Sequence, residues 1–199
     1  FKKINYSNYN RNKKILPFSL WNKFSIKFFN GIYFHFHKFL KNKKYNDDFQ
    51  SVIFPFIGKE GYFEMFGTQG FIESQILVSN KYIDLFIKEF EFLYRKHNPL
   101  ITLFSIKNMN GKKNYLRFED DSICLTFDFV KNKKNLEFME FLDELCIKYQ
   151  ALPSIIKDSR ISKKIVDKCY KYAEEFRSDL KKFDKKRIYR SELSDRLGL

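Results

Sequence analysis

Phe71-Ile72-Glu73-Ser74-Gln75-Ile76-Leu77-Val78-Ser79 (FIESQILVS) decides the fold. Ile72, Ile76 and Val78 fall on one side of an extended chain, and Phe71, Glu73, Gln75 and Leu77 on the other. An apolar side and a mixed side at period two predict a strand. Working outward, Tyr82–His97 carries Ile83, Phe86, Phe90 and Leu93 at three- and four-residue spacing, the period of an amphipathic helix, and Asn98-Pro99 stops it. Leu100–Lys107 predicts a second strand. Asn108–Lys113, with Gly111, reads as a turn or loop. Ser122–Val130 predicts a third strand. Asn135–Tyr149 predicts a second helix, with Leu136, Met139, Leu142, Cys146 and Tyr149 on its apolar stripe. Ala151–Ile156 predicts a short fourth strand. Strand, helix, strand, strand, helix, strand is the split βαβ order. The expected class is therefore α+β, an antiparallel sheet with both helices on one face.

The flanks read differently. Gly31–Leu40 alternates as a strand would, or lies against a bilayer as an aromatic and basic segment. After the fourth strand comes a dense polar cluster, Lys157-Asp158-Ser159-Arg160. Ser162 is placed to cap a helix carrying Ile165, Cys169, Tyr172, Phe176 and Leu180 on one face. A tail from Phe183-Asp184 follows.

Of the 199 residues 44% are hydrophobic and 19% aromatic, enough to build a core and to exclude a disordered chain. The net charge of +14 is uneven, and residues 1–50 hold 11 Lys and Arg against 2 Asp. That quarter suits a membrane surface, a phosphate-bearing substrate or nucleic acid, or is a solvated lysine-rich face. Three widely spaced cysteines, Cys124, Cys146 and Cys169, form no CxxC and point to a reducing, cytoplasmic compartment. No apolar run reaches the roughly 18 residues of a membrane span. A start at Phe1 suggests part of a longer protein.

Several residues are candidates for chemistry. Glu73 and Gln75, two apart on one strand side, are either the polar wall of a ligand pocket or a solvent-facing row. Lys107 ends the second strand and Cys124 lies early in the third, so antiparallel pairing would bring them close. Lys157 and Arg160 with Asp158 would fix an anion at a strand-to-helix junction, or form a charged loop beside a capped helix. His35 and His37 make an H-x-H pair without a nearby Cys, Asp or Glu, so no metal site is expected. There is no GxGxxG, P-loop, GxSxG or HExxH, and with 7 glycines in the chain a phosphate-cradling loop is not expected. A nucleotide cofactor, if used, would have its pyrophosphate held by another piece of protein.

Three stretches resemble one family. Phe66-Gly67-Thr68-Gln69-Gly70-Phe71-Ile72-Glu73-Ser74-Gln75 resembles the YG-x-x-G-hydrophobic-hydrophobic-Q-Y-Q strand entry of FAD-linked oxidases. Ile156-Lys157-Asp158-Ser159-Arg160 resembles their A-K-D-S/A-R. Phe183-Asp184 and Arg187-Ile188-Tyr189-Arg190-Ser191-Glu192-Leu193-Ser194-Asp195-Arg196-Leu197 resemble their terminal D-P-x-R-V-F-x-S-D-h-x-R-R-L. The likeness is to the decaprenylphosphoryl-β-D-ribose oxidase type of the vanillyl-alcohol-oxidase-like superfamily. It runs from about Leu16 to Leu199, loosely before Pro55.

The resemblance implies a substrate (cap) domain over 1–151 and a segment, 152–199, returning to an FAD-binding domain not contained in this chain. It implies FAD as cofactor and oxidation of a sugar secondary alcohol by hydride transfer. The substrate would be a sugar or a polyprenyl-phosphoryl pentose, a cell-wall polysaccharide precursor. A peripheral membrane contact and a reductase partner completing an epimerisation would go with it, and no nucleic acid is expected. By position, Lys157 would lie beside the flavin ring and the reacting carbon, with Arg160 also on the cofactor side. Glu73, Gln75, Lys107, Ser122 and Cys124 would line the substrate pocket. Departures touch that pocket: Glu73 stands for a glutamine, Ser122 for an asparagine and Ile53 for a tyrosine, while Lys185 replaces the proline of D-P. An aldonolactone oxidase would carry His-Trp-Gly-Lys where Ile156-Lys157-Asp158-Ser159 stands. The readings outside this activity are a non-catalytic basic module for anionic lipid or nucleic acid, and an inactive remnant of the enzyme.

Overall fold

A computed structural model describes residues 15–41, 49 and 61–199. They fall into two compact units, up to Gly70 and from Phe71 onward.

The first unit is built on helix α1 (Lys23–Leu40). Asn22 begins it: its Oδ1 accepts from the backbone N–H groups of Phe24 and Ser25, and Ser25 Oγ accepts from Asn22 N in return. This reciprocal cap satisfies donors that a helix start leaves open. Gly31–Leu40 is thus helical, and the strand reading is corrected. Alternating residues fit either period locally, but Ile26, Phe29, Tyr33, Phe36 and Leu40 keep the three- and four-residue spacing through all 18 residues. A short helix α2 (Gly61–Glu64) and a 3₁₀ turn (Gly67–Gln69) close the unit. Trp21 packs on the rings of Phe29, Tyr62 and Phe66, and its indole N–H donates to the Tyr62 carbonyl at 3.3 Å. Gly67 has φ +57°, and a Cβ there would stand 2.2 Å from the Phe18 carbonyl oxygen. Only glycine fits so close a backbone approach in that conformation.

The second unit has strands β1 (Phe71–Ser79), β2 (Ile101–Met109), β3 (Ser122–Val130) and β4 (Leu152–Pro153), in the spatial order β2-β3-β1-β4, all antiparallel. Helices α3 (Ile83–His97) and α4 (Lys133–Tyr149) cover one face. The expected α+β, split βαβ architecture is what the chain adopts. Odd residues of β3, including Leu125, Phe127 and Phe129, enter the core opposite Ile72, Ser74 and Ile76 of β1. Phe90 of α3 and Phe138 of α4 close on them, with Phe90 5.1 Å from Phe127 and Phe138 6.1 Å from Phe129, ring centre to ring centre.

Two expected elements differ. The fourth strand pairs only over Leu152–Pro153, because Pro153 has no N–H to donate and the chain turns at Ser154. The helix expected after Ser162 breaks into α5 (Lys163–Cys169) and α6 (Ala173–Phe183). Tyr170 takes an extended conformation there, buries its ring and donates its hydroxyl to the Pro153 carbonyl at 2.7 Å. Helix α7 (Glu192–Leu197) ends the unit, with Ser191 and Ser194 forming its capping box. The buried Arg177 of α6 pairs with Asp167 and Glu174 and donates to the carbonyls of Leu197 and Gly198. Ile161, Val166, Tyr170 and Leu197 join the same core as the sheet, so residues 152–199 pack with the second unit as one body.

Candidate functional site

Helices cover one face of the sheet, and the candidate residues lie on the other. In register, Lys107 stands opposite Cys124 and Cys124 opposite Leu77. The next row is Ser105, Thr126 and Gln75, and the next Leu103, Asp128 and Glu73. Ser122 lies at the far end, opposite Ser79 and Met109. At about 3.4 Å per residue the row from Ser122 to Asp128 is a polar stripe some 20 Å long. Glu73, Gln75, Lys107, Ser122 and Cys124, chosen from the sequence, are therefore brought onto one face of the sheet, where Ser122 and Cys124 are buried.

Lys157 reaches this surface from the end of β4. The Ser154 N–H donates to the Gln75 carbonyl at 2.8 Å, so the chain stays beside β1 as it leaves the sheet. Asp158 N–H then donates to the Ser154 carbonyl at 3.0 Å, and Lys157 N–H to Ser154 Oγ at 3.3 Å. This turn aims the Lys157 ammonium at Glu73 Oε2, 3.3 Å away. Glu73 Oε1 accepts from the Gln75 amide at 2.6 Å. The carboxylate, 20% exposed, thus links a strand neighbour to a cation that is half exposed.

Arg160 goes elsewhere. Its guanidinium grips Asp143 of α4 through two N–H groups, at 2.6 and 2.8 Å, and Asp158 at 3.0 Å. Such a fork-on-fork pair is a strong use of arginine, and here it is spent inside the chain. Burial pushes the Asp158 carboxyl up from its ordinary range, against the pull of Arg160. Asp184 is a second internal staple: its buried carboxylate accepts from the backbone of Ile188 and Tyr189, both at 2.8 Å. Gly67, Asp158, Arg160 and Asp184 all belong to the stretches singled out in the sequence, and each has a structural task.

Cys124 is buried beside Thr126, Sγ to Oγ1 3.9 Å. Burial pushes its thiol up, and the Thr126 hydroxyl and the Lys107 cation draw it only partly back. It is a neutral thiol at neutral pH and no activated nucleophile. The Ser122 hydroxyl is buried without a hydrogen-bond partner among the described residues. An orphan hydroxyl on a polar stripe suits a ligand that would complete it.

Two residues of the stripe were missed in the sequence. Thr126 and Asp128 are buried in it, Asp128 directly beside Glu73. The signal was present: Ser122, Cys124, Thr126 and Asp128 are polar at every second position of SICLTFDFV. His35 and His37 lie two apart on α1, about 200° around the helix, and do not converge. Among the described residues no group of three or more metal-ligating side chains forms. Ile53 lies outside the described residues.

Residues that would meet a flavin are tested by their partners. Lys157 fits: its ammonium is accessible and oriented by Glu73. Arg160 does not fit as a direct contact, since its partners are Asp143 and Asp158, and its Nε is buried. No protein-family model matches the chain, and no curated protein matches it.

Proposed function

We propose that this chain carries the substrate half of an FAD-dependent oxidoreductase that oxidises a secondary alcohol of a sugar, a polyprenyl-phosphoryl pentose. The supporting observation is the Lys157–Glu73–Gln75 chain of contacts at the edge of the polar stripe. It joins two of the three stretches that resemble FAD-linked oxidases, though they lie 84 residues apart. FAD, held by a separate domain, would accept the hydride from the alcohol carbon. The Lys157 ammonium would stabilise negative charge developing beside it, and in a site with little water that effect is large. Glu73 would keep the ammonium aimed and Gln75 would keep Glu73 in place. Lys107 would meet an anionic part of the substrate, and Ser122 and Thr126 its hydroxyls. A reductase acting on the ketone product would complete an epimerisation.

The test uses the gene extended upstream and expressed whole. A flavin absorption spectrum that bleaches without oxygen on adding a polyprenyl-phosphoryl pentose is expected. Lys157→Ala should slow the bleaching at least about a hundredfold, as loss of one positioned charge does. A colourless protein from an intact upstream frame would remove the proposal.

A further inference from the structure

Helix α1 has no place in that chemistry, and its surface is unusual. None of its 18 residues is buried, and Phe24, Phe28, Phe36 and Phe39 each keep more than half of their surface exposed. At 100° per residue, Phe28, Phe39, Ile32, Phe36, Phe29 and Tyr33 fall within one arc of about 140°. Lys23, Lys27 and Lys38 lie together on the opposite side, all exposed, with Phe34 between them and His37 and Asn30 at their border. The helix contains no Asp or Glu. Among the described residues, Phe28, Ile32, Tyr33 and Phe36 of this arc each stay more than half exposed, and an apolar surface this wide implies an occupant.

We infer that α1 is an interfacial anchor, lying in the plane of an anionic phospholipid bilayer with the aromatic arc in the headgroup–acyl boundary. Three observations fix the occupant. The helix is about 27 Å long but not apolar enough to cross a membrane, so it can lie in a bilayer and not span it. Its exposed aromatic rings, Tyr33 among them, favour the boundary. Its charged side is wholly cationic, with stems long enough to reach up to lipid phosphates. A second copy of the chain is a poor occupant, because two such helices in chains of net charge +14 repel. A protein groove takes a narrow stripe of anchors at i, i+3, i+4 and i+7, and this arc is broader. The inference does not depend on the oxidoreductase reading.

The experiment is co-sedimentation of the whole chain with phosphatidylcholine vesicles, with and without about a quarter of phosphatidylglycerol. Binding is expected to the anionic vesicles and to weaken with salt. Lys23→Gln/Lys27→Gln/Lys38→Gln should lower the partition coefficient about a hundredfold, near fivefold per charge. Phe28→Ser/Phe36→Ser, which leaves the charge unchanged, should lower it about tenfold or more. Lys181→Gln/Lys182→Gln/Lys185→Gln, on α6 and beyond, should bind as the parent does. Unchanged far-ultraviolet dichroism and melting would show that each variant folds. Equal binding to neutral and anionic vesicles, unaltered binding of the Phe28→Ser/Phe36→Ser chain, or equal loss in both lysine sets would overturn the inference. So would sedimentation equilibrium showing a dimer that Phe28→Ser/Phe36→Ser dissolves, with no vesicle binding by the parent.

Discussion

Helix α1 and strand β3 are both rich in phenylalanine, and their rings end in opposite places. Phe127 and Phe129 of β3 have no exposed surface, whereas Phe24 of α1 is 81% exposed. Composition does not separate the two. β3 alternates, so its rings share a face that α3 and α4 are present to cover. The rings of α1 spread over a wide arc that no described element covers. The lesson is that an aromatic residue is a core residue only where a second surface is supplied with it.

That contrast is open to attack by mutation. Phe127→Ala should cost about 3–5 kcal/mol in urea unfolding followed by circular dichroism, the range for emptying an aromatic site in a close-packed core. Phe36→Ala should stay within about 0.5 kcal/mol, as exposed substitutions do. Equal losses would end the comparison. Next in size, Arg160→Ala should cost about 3 kcal/mol, since it strands the buried Asp158 and the half-buried Asp143 without their cation. This deficit has a pH sign. Asp158 already has its carboxyl raised, by burial first of all. A raised carboxyl destabilises the fold above its folded pKa, and protonation relieves that cost as pH falls through this value. The gap between variant and parent should therefore narrow from pH 7 toward pH 4.

A third experiment compares two glycines. Gly67→Ala should destabilise the first unit by about 1–3 kcal/mol, given its positive φ and the clash with the Phe18 carbonyl. Gly31→Ala on α1 has open space around the new methyl and should stabilise by about 0.5–1 kcal/mol. The chain's one tryptophan, Trp21, reports on this unit by fluorescence. The smallest effect is at Glu89, whose carboxyl is held below its ordinary range by Lys148 and Tyr149. Its contribution is present above about pH 4.5 and is lost as pH falls through the lowered folded value. Glu89→Gln should flatten that acid limb of a stability–pH curve and change little else.

Legibility in the sequence followed the strength of the local period. β1 and β3 were legible to the residue because polar and apolar side chains alternate along both. α3 and α4 were placed within two residues at their starts. β4 was overestimated because an apolar run, LPSII, says nothing about which N–H groups find partners. The break at Tyr170 was invisible, since it depends on a hydroxyl reaching a carbonyl 17 residues earlier. The strand alternative for Gly31–Leu40 failed because H-x-H alternation in a short window hides a helical period that needs more turns to emerge. Of the site, the convergence of Lys107, Cys124, Glu73 and Gln75 followed from strand parity. The departure of Arg160 into α4 did not, because two carboxylates competed for it from positions distant in sequence or already buried.

Arg177 makes the neighbourhood of Leu197 a poor place for wear. The side chain of Leu197 has no exposed surface, and its carbonyl and that of Gly198 are what a buried guanidinium holds. A substitution that shrinks Leu197 would empty a core position, and any shift of its carbonyl would reach the buried Arg177 and, through Asp167, helix α5.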